Sequence, residues 1–253
     1  MKVAVLISGQ PRNYLQGYEN LKKAYLDRYD CDVFFHTWEG GNFEASQFNP
    51  TQPKRTYQLT GDYLGDLVQL YKPKGMITEP QRIFDDTGVV DPIWRQPLQN
   101  SVSMWYSVMR ACSAYMDIRY YGGYSEETTY DAVIRTRFDL QYEESTLDLE
   151  KLDMSKLHIW NWNTDERVKH RGYYDVFAIG NETIMGMYCS LFPRYNWYLN
   201  YDEEYKKFLS GGWPGQDSGL RNEYLLKWHL INCGIEVEEH PTTIYAADGQ
   251  IIR

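Results

Sequence analysis

The feature that most constrains the fold is an unbroken apolar run near the start of the chain. Every residue from Val3 to Ile7 is apolar, and most are β-branched. A strand that is apolar at every position is covered on both faces, which is typical of the centre of a parallel sheet. An amphipathic stretch from about Tyr14 to Tyr29 follows and predicts a helix. The chain therefore begins with the strand and helix of an α/β fold.

Strands and helices continue to alternate along the chain. The predicted strands after the first are Asp32–Thr37, Gly75–Thr78, Asp131–Arg135, Leu157–Trp160, Val176–Ile179 and Ile235–Val237. The predicted helices are Asp62–Leu70, Leu98–Tyr121, one capped by Asn181, and Asp217–Asn232, which Gly234 ends. This order predicts a mainly parallel sheet flanked by helices. Two long irregular segments, Glu39–Arg55 and Arg82–Pro97, are typical of lids or binding loops.

Size and charge narrow the function classes. The chain has 253 residues, 43% of them hydrophobic, which predicts one domain spanning residues 1–253 with a full core. Its formal net charge of −9 argues against nucleic-acid binding, which needs a surplus of lysine and arginine, and against adhesion to anionic membranes. The aromatic fraction is 16%, with 23 tyrosines and 8 tryptophans, and such rings suit sugars, bases and protein partners alike.

Cysteine usage and hydropathy bear on the compartment. None of the four cysteines is in a C-x-x-C pair, which predicts buried free thiols and a reducing environment. No apolar run is long enough to span a bilayer, and the first one is too short for a secretion signal. We expect a cytoplasmic protein without a transmembrane segment, which a partner could still hold at a membrane.

Three polar clusters directly follow three of the apolar strands. They are Ser8–Arg12, His36–Trp38 and Arg135–Asp139. Ligands of doubly wound sheets bind beyond the carboxyl ends of the strands. If the three strands are parallel neighbours, the clusters share one rim and form one concave site.

Each cluster also has a plain structural alternative. The turn Ser8–Arg12 offers backbone N–H groups and a guanidinium to phosphates, or is an ordinary turn into a helix. His36 is suited to bonding a diphosphate and Trp38 to stacking, but a lone histidine is more often structural. In the segment Arg135–Asp139, two arginines and a carboxylate alternate along an extended chain. They can bind a diphosphate and a divalent cation, or form an internal ion pair.

Acidic residues later in the chain are candidate bases. Asp217 lies where a helix N-cap belongs, beside a glycine-rich loop, and can either cap the helix or deprotonate an acceptor hydroxyl. Glu223 is a rival whose alternative is a helical pair with Lys227. Asp175, after Tyr173 and Tyr174, is a candidate for contacting sugar hydroxyls.

These motifs together resemble the GT-A nucleotide-sugar glycosyltransferases, most nearly the bacterial and viral polysaccharide-type enzymes with SGQxR, FFHTW and VIRTRxD motifs. The resemblance spans most of the chain and is carried by Val3–Arg12, Asp32–Trp38, the helix with Asn100, Met104 and Arg110, Tyr130–Leu140, and the segment from Gly215 to Ile235. It implies a GT-A fold, which is a Rossmann-like, mainly parallel sheet flanked by helices.

The resemblance also implies residue roles. The residues expected to bind the nucleotide sugar are Ser8, Gly9, Gln10, Arg12, His36, Trp38, Asn100, Arg135 and Arg137. Asp139 would take the last position of a metal-binding D-x-D and hold Mn²⁺ or Mg²⁺, and Asp217 would be the base. The chain departs from the pattern at Arg137, which replaces the first aspartate, so metal dependence is in question. It departs again at Gln216, which replaces the acid beside the base.

The expected function is transfer of a hexosyl group from a nucleoside diphosphate donor to a hydroxyl of a glycan, a lipid-linked sugar or a protein, as in polysaccharide biosynthesis. Tyr173, Asp175 and Trp213 are the expected sugar or acceptor contacts. One alternative is a nucleotidyltransferase that makes nucleotide sugars, although such enzymes have a longer glycine-rich loop than this chain. The other is a non-catalytic carbohydrate-binding module, which would not need the arginines.

Overall fold

The computed structural model describes residues 1–40, 42–45, 55–59, 61–84, 92–121, 129–142, 147–161, 172–210 and 222–241. The strands are β1 (Lys2–Ser8), β2 (Asp30–Glu39), β3 (Asn42–Ala45), β4 (Arg55–Gln58), β5 (Gly75–Pro80), β6 (Ala132–Thr136), β7 (Leu157–Asn161), β8 (Ala178–Gly180) and β9 (Val237–Pro241). The α-helices are α1 (Tyr14–Leu21), α2 (Tyr63–Tyr71), α3 (Pro92–Tyr121), α4 (Glu182–Cys189), α5 (Leu191–Asn200), α6 (Glu203–Ser210) and α7 (Asn222–Asn232). A π-helical turn, Lys22–Leu26, continues α1, and Leu149–Lys151 form a 3₁₀ turn.

Seven of the described strands form one mixed sheet in the order β5-β2-β1-β6-β8-β7-β9. The pairs β1–β2, β1–β6, β2–β5 and β7–β9 are parallel, and β8 is antiparallel to both of its neighbours. The predicted α/β class with a mainly parallel sheet is confirmed, and the arrangement is compatible with a Rossmann-like fold. The chain builds outward from β1 to β2 and β5, then returns to add β6 on the other side of β1. The junction of β1 and β6 is therefore a topological switch point, where ligands of such sheets bind.

Helices cover both faces of the sheet, as the apolar strands require. On one face, Val5 and Ile7 of β1 pack with Tyr25 and Leu67, from the region of α1 and α2. On the other face, Leu6 packs with aromatic and aliphatic side chains of α3, α4, α5 and α7. Side chains alternate between the two faces of a strand, so β1 supplies both cores at once. Helix α3 contacts β1, β2 and β5 and so covers that side of the sheet.

Local chemistry explains the helix ends. Asp62 caps α2 by accepting a hydrogen bond from the Gly65 amide at 3.0 Å, and Asn181 caps α4 through the Ile184 amide at 2.9 Å. Gly234 follows α7 with φ +66°, a left-handed conformation that glycine adopts without strain. The predicted roles of Asn181 and Gly234 are confirmed.

Several predicted boundaries were wrong. Helix α1 begins at Tyr14, as predicted, after Asn13 adopts a left-handed conformation, but it ends at Leu21 and continues as the π-helical turn to Leu26 without reaching Tyr29. The segment Glu39–Arg55, predicted to be irregular, contains β3 and the first residue of its antiparallel partner β4, and α3 begins at Pro92 within the second such segment. Helix α7 is described from Asn222, so its predicted start at Asp217 lies outside the described residues.

Helix α1 lies directly against the turn that follows β6. A side chain at Gly17 would collide with the backbone carbonyl of Phe138. Because glycine has no side chain, α1 can lie this close to the turn. The contact sets the position of Arg137 and Asp139, which the turn carries, relative to α1.

The described cysteines and helices agree with part of the sequence interpretation. All four cysteines are free thiols; Cys112 and Cys189 are buried, whereas Cys31 and Cys233 are partly exposed. Within the described ranges, no helix combines the length and the apolar character that crossing a membrane requires.

Candidate functional site

The three polar clusters lie on one rim of the sheet, as predicted. Ser8 of β1 is in register with His36 of β2, and Ile7 is in register with Thr136 of β6. Because these strands are parallel, the residues that follow them leave the sheet on the same side. They border a cavity of about 200 Å³ whose lining residues are Ser8, Gly9, Gln10, Arg12, Trp38, Gln81, Asn100, Ser103, Met104, Arg135, Arg137 and Asn222.

Most of the residues predicted to bind a nucleotide sugar line this cavity. Ser8, Gly9, Gln10, Arg12, Trp38, Asn100, Arg135 and Arg137 do so, and His36 does not. The turn after β1 depends on Gly9, whose φ is +115°. Its carbonyl accepts a hydrogen bond from the Thr37 hydroxyl at 3.1 Å, which ties this turn to the end of β2.

His36 lies behind the cavity and has a structural environment. Its Nε2 is 3.1 Å from the Glu79 carboxylate, and its Nδ1 is 2.6 Å from the Ser107 hydroxyl. A carboxylate only accepts, so Nε2 carries the proton and Nδ1 accepts from Ser107. Burial lowers the pKa of His36 to about 4 despite the neighbouring carboxylate. A neutral, fully buried imidazole with both nitrogens in use matches the structural alternative for this residue.

Trp38 connects the cavity to this buried network. Its ring is stacked on Tyr106 of α3, with centroids 5.7 Å apart and planes at 15°. The Tyr106 hydroxyl and the Arg110 guanidinium donate to Glu79 at 2.9 and 3.1 Å. Burial would raise the pKa of Glu79, but these two donors outweigh burial and keep that pKa below its usual range. The ionised Glu79 carboxylate therefore fixes Tyr106, the residue on which the Trp38 ring is stacked.

The central ionic feature is a carboxylate between two arginines. Arg137 donates from Nε and Nη2 to the two oxygens of Asp139 at 2.8 and 2.9 Å, and Arg12 Nη2 lies 3.0 Å from Oδ2. Asp139 is fully buried, whereas Arg12 and Arg137 retain some exposure. Burial would raise the pKa of Asp139, but both guanidinium groups outweigh burial and lower it. Asp139 therefore stays ionised and orients both arginines at the rim.

A divalent cation does not fit beside Asp139 in this arrangement. Each carboxylate oxygen is already bonded to a guanidinium group, and Arg137 stands where a D-x-D site would provide a second carboxylate. Cations such as Mg²⁺ need several oxygen ligands, and the adjacent positive charges repel them. The geometry is that of the internal ion pair, the alternative to the predicted Mn²⁺ or Mg²⁺ site.

Arg135 completes the group of three arginines. It is 1% exposed, donates to the backbone carbonyl of Asp175, and reaches the Ser8 hydroxyl at 3.5 Å. Its Nε has no hydrogen-bond acceptor among the described residues. A buried donor without an acceptor is costly, so an anion in this cavity would find a donor already desolvated.

Asp175 reaches the rim because β8 is antiparallel. It precedes β8, so the start of that strand lies beside the carboxyl ends of its neighbours. The Asp175 side chain is buried and bonded to Asn222; burial raises its pKa, and Arg135 offsets part of that rise. Tyr173, another predicted sugar contact, is half-buried and donates its amide to the carbonyl of Glu223. Neither Asp175 nor Tyr173 lines the cavity itself.

Three polar lining residues were not predicted from the sequence. Gln81 directly follows β5, so the rule that located the other clusters would also have indicated it. Ser103 lies one helical turn from Asn100 on α3. Asn222 begins α7, and its side chain bonds to Ser101 and to Asp175. Nothing in the local sequence around Asn222 indicates that this residue faces the arginines.

The predicted base Asp217 and the predicted sugar contact Trp213 lie outside the described residues. Glu223, the rival acid, is at the start of α7, where its carbonyl accepts from Tyr173. No model of a known protein family matches this chain, and the search of curated proteins gave no match. The functional interpretation therefore depends on the site itself.

Proposed function

We propose that this chain is a nucleotide-sugar glycosyltransferase with a GT-A fold. It would transfer a hexosyl group from a nucleoside diphosphate to a hydroxyl of a glycan, a lipid-linked sugar or a protein. The observation that carries the proposal is the convergence of Arg12, Arg135 and Arg137 on one cavity at the switch point of the sheet. Three buried or half-buried guanidinium groups on one rim are unusual in a chain of net charge −9.

The charges at the rim suit an anion. The guanidinium groups of Arg12, Arg135 and Arg137 face the two carboxylates of Asp139 and Asp175, which leaves one positive charge in excess. Guanidinium groups bind phosphate oxygens through paired, charge-assisted hydrogen bonds. Asp139 uses only part of the donors of Arg137, so the others can bond a ligand.

The reaction follows from this placement. The acceptor oxygen bonds to the anomeric carbon while the bond from that carbon to the diphosphate breaks, and the diphosphate leaves with the electron pair. The arginines would stabilise the charge that develops on the departing diphosphate, the electrostatic part of catalysis. Asp139 is a positioning residue that holds Arg12 and Arg137.

The catalytic base, Asp217, is assigned from the resemblance to GT-A glycosyltransferases. Asp217 would accept the proton of the acceptor hydroxyl if the anomeric configuration is inverted. Asp217→Asn is then expected to abolish transfer while leaving donor binding unchanged, as measured by turnover and by calorimetry. Near wild-type turnover of Asp217→Asn would refute the assignment.

Donor binding tests the proposal directly. Nucleoside diphosphates and nucleotide sugars, each with and without Mn²⁺, would be screened by thermal shift, since a ligand that binds only the folded chain raises Tm. We expect one nucleoside diphosphate to raise Tm and Arg137→Gln to abolish the effect. Arg28→Gln is the matched control, because Arg28 is an exposed arginine away from the cavity.

Other outcomes would select the alternatives. Release of pyrophosphate from a nucleoside triphosphate and a sugar phosphate would identify a nucleotidyltransferase. Binding of a glycan without affinity for any nucleotide would identify a carbohydrate-binding module.

A further inference from the structure

We propose that His158, Glu238 and His240 form a binding site for a transition-metal ion of the zinc class, separate from the cavity described above. None of the three residues lines that cavity. They are the group of histidine and acidic side chains in the described ranges whose ligand atoms all lie within 4.8 Å of one another. The site does not depend on the proposed glycosyltransferase activity.

The register of two strands brings the three side chains together. His158 of β7 is paired with Glu238 of β9, and His240 lies two residues further along β9. Side chains two residues apart in a strand share a face, so all three project to the same side. His158 Nδ1 lies 2.9 Å from His240 Nε2, and the Glu238 carboxylate is 3.9 Å from the first nitrogen and 4.0 Å from the second.

A hydrogen bond behind His158 fixes its tautomer. His158 Nε2 lies 2.8 Å from the backbone carbonyl of Asp153. A carbonyl only accepts, so Nε2 carries the proton and Nδ1 presents its lone pair to the cluster. Metal-binding histidines are held by the same kind of bond from the other ring nitrogen. His158 is fully buried, so its ring is held in this orientation.

The donor set favours zinc over the hard cations. Two imidazoles and one carboxylate are typical ligands of Zn²⁺, whereas Mg²⁺ prefers oxygen atoms alone. Two nitrogens bound to one zinc in a tetrahedral arrangement are about 3.3 Å apart. The observed separation of 2.9 Å is close to that value, and a small rotation of His240, which is partly exposed, would reach it. Glu238 is half-exposed and leaves the ion a path from solvent.

Metal binding at this site would hold the edge strand β9 to its neighbour β7. Among the strands that the structure describes, β9 is at the edge of the sheet and pairs with β7 alone. An ion held by His158 and His240 would link two strands far apart in the sequence, and binding to the folded chain alone stabilises it. The expected role is structural, with a water completing the coordination.

Calorimetry with Zn²⁺ tests the site. The full chain without a histidine tag would be freed of metal with a chelator and titrated with ZnCl₂, and Tm would be measured in parallel. We expect one Zn²⁺ ion to bind per chain and Tm to rise, with no effect of MgCl₂. His240→Ala should weaken binding at least about 100-fold. If that variant does not fold, Glu238→Gln, at a half-exposed position, should weaken binding at least about tenfold.

Glu239→Gln is the matched control, because Glu239 is exposed and on the opposite face of β9. Its affinity for Zn²⁺ should equal that of the wild-type chain. Absence of saturable Zn²⁺ binding would overturn the proposal and leave a hydrogen-bonded histidine pair. Equal affinity in the wild-type chain and in Glu238→Gln or a folded His240→Ala would also overturn it.

Discussion

Arg12 and Asp139 belong to turns that follow two different strands, yet Arg12 Nη2 lies 3.0 Å from Asp139 Oδ2. Asp139 is fully buried and is also bonded twice to Arg137. Replacing Asp139 by asparagine would leave two guanidinium groups without their counter-charge. We expect Asp139→Asn to lower the free energy of unfolding by about 3–5 kcal/mol in a denaturant titration.

A surface pair provides the comparison for Asp139. Glu204 and Lys207 form an exposed ion pair one turn apart on α6. Glu204→Gln should leave the midpoint of the denaturant titration unchanged. Equal stability of Asp139→Asn and Glu204→Gln would show that Asp139 does not hold the arginines in place.

Ligand binding by Arg135 should depend on the planar geometry of its guanidinium group as well as on its charge. Lysine keeps the charge but lacks the planar fork that bonds the Asp175 carbonyl and the Ser8 hydroxyl together. We expect Arg135→Lys to weaken nucleoside diphosphate binding at least about tenfold in calorimetry. Unchanged affinity would remove Arg135 from the donor site.

Two helical glycines should respond to the same substitution with opposite signs. At Gly17 a methyl group collides with the Phe138 carbonyl, so α1 must move away from the turn. We expect Gly17→Ala to destabilise the chain by about 1–3 kcal/mol. At Gly186 in α4 the only atom of the described residues that a methyl group meets belongs to Met116, at 3.8 Å, so Gly186→Ala should stabilise the chain by about 0.5–1 kcal/mol. Thermal or chemical unfolding of both variants measures the difference.

Stability should fall in mild acid because two buried histidines stay neutral when folded. Burial lowers the pKa of His36 and of His229 to about 4, whereas an unfolded histidine titrates near pH 6.5. As the pH falls from about 6.5 to 4, the unfolded chain takes up protons that the folded chain does not. Each histidine then costs up to about 3 kcal/mol of stability.

The measurement is the free energy of unfolding as a function of pH. His229→Gln should make the loss between pH 6.5 and 4 shallower by about one proton, or about 1.4 kcal/mol per pH unit. An unchanged slope in that variant would show that His229 does not titrate in this range.

The strands and the shared rim were predictable because their signals are local. The apolar run of β1 and the polar residues after β1, β2 and β6 are continuous in sequence, and the parallel-sheet rule then places them together. The partner of a polar side chain is not a local property. Nothing around His36 shows that Ser107 and Glu79 will satisfy both ring nitrogens, so the structural alternative could not be selected from sequence.

The ion pairs of Asp139, which was predicted to be a metal ligand, could not be selected from sequence for a related reason. The alternation of Arg135, Arg137 and Asp139 suggests side chains on one side, but it does not reveal that Arg12 also reaches the same carboxylate. With two guanidinium groups on one carboxylate, ion pairing satisfies the acid without a cation. The position of Gln81 could have been predicted, because Gln81 follows the carboxyl end of β5. The position of Asn222 depends on how α7 packs.

The reversed direction of β8 has a consequence for how this rim can diverge among related sequences. Arg135 donates a hydrogen bond there to the backbone carbonyl of residue 175, a group that every amino acid has. Substitution at position 175 can change the nearby charge without removing the hydrogen bond to Arg135. The charge at this edge of the sheet can therefore vary in evolution while the position of Arg135 is kept.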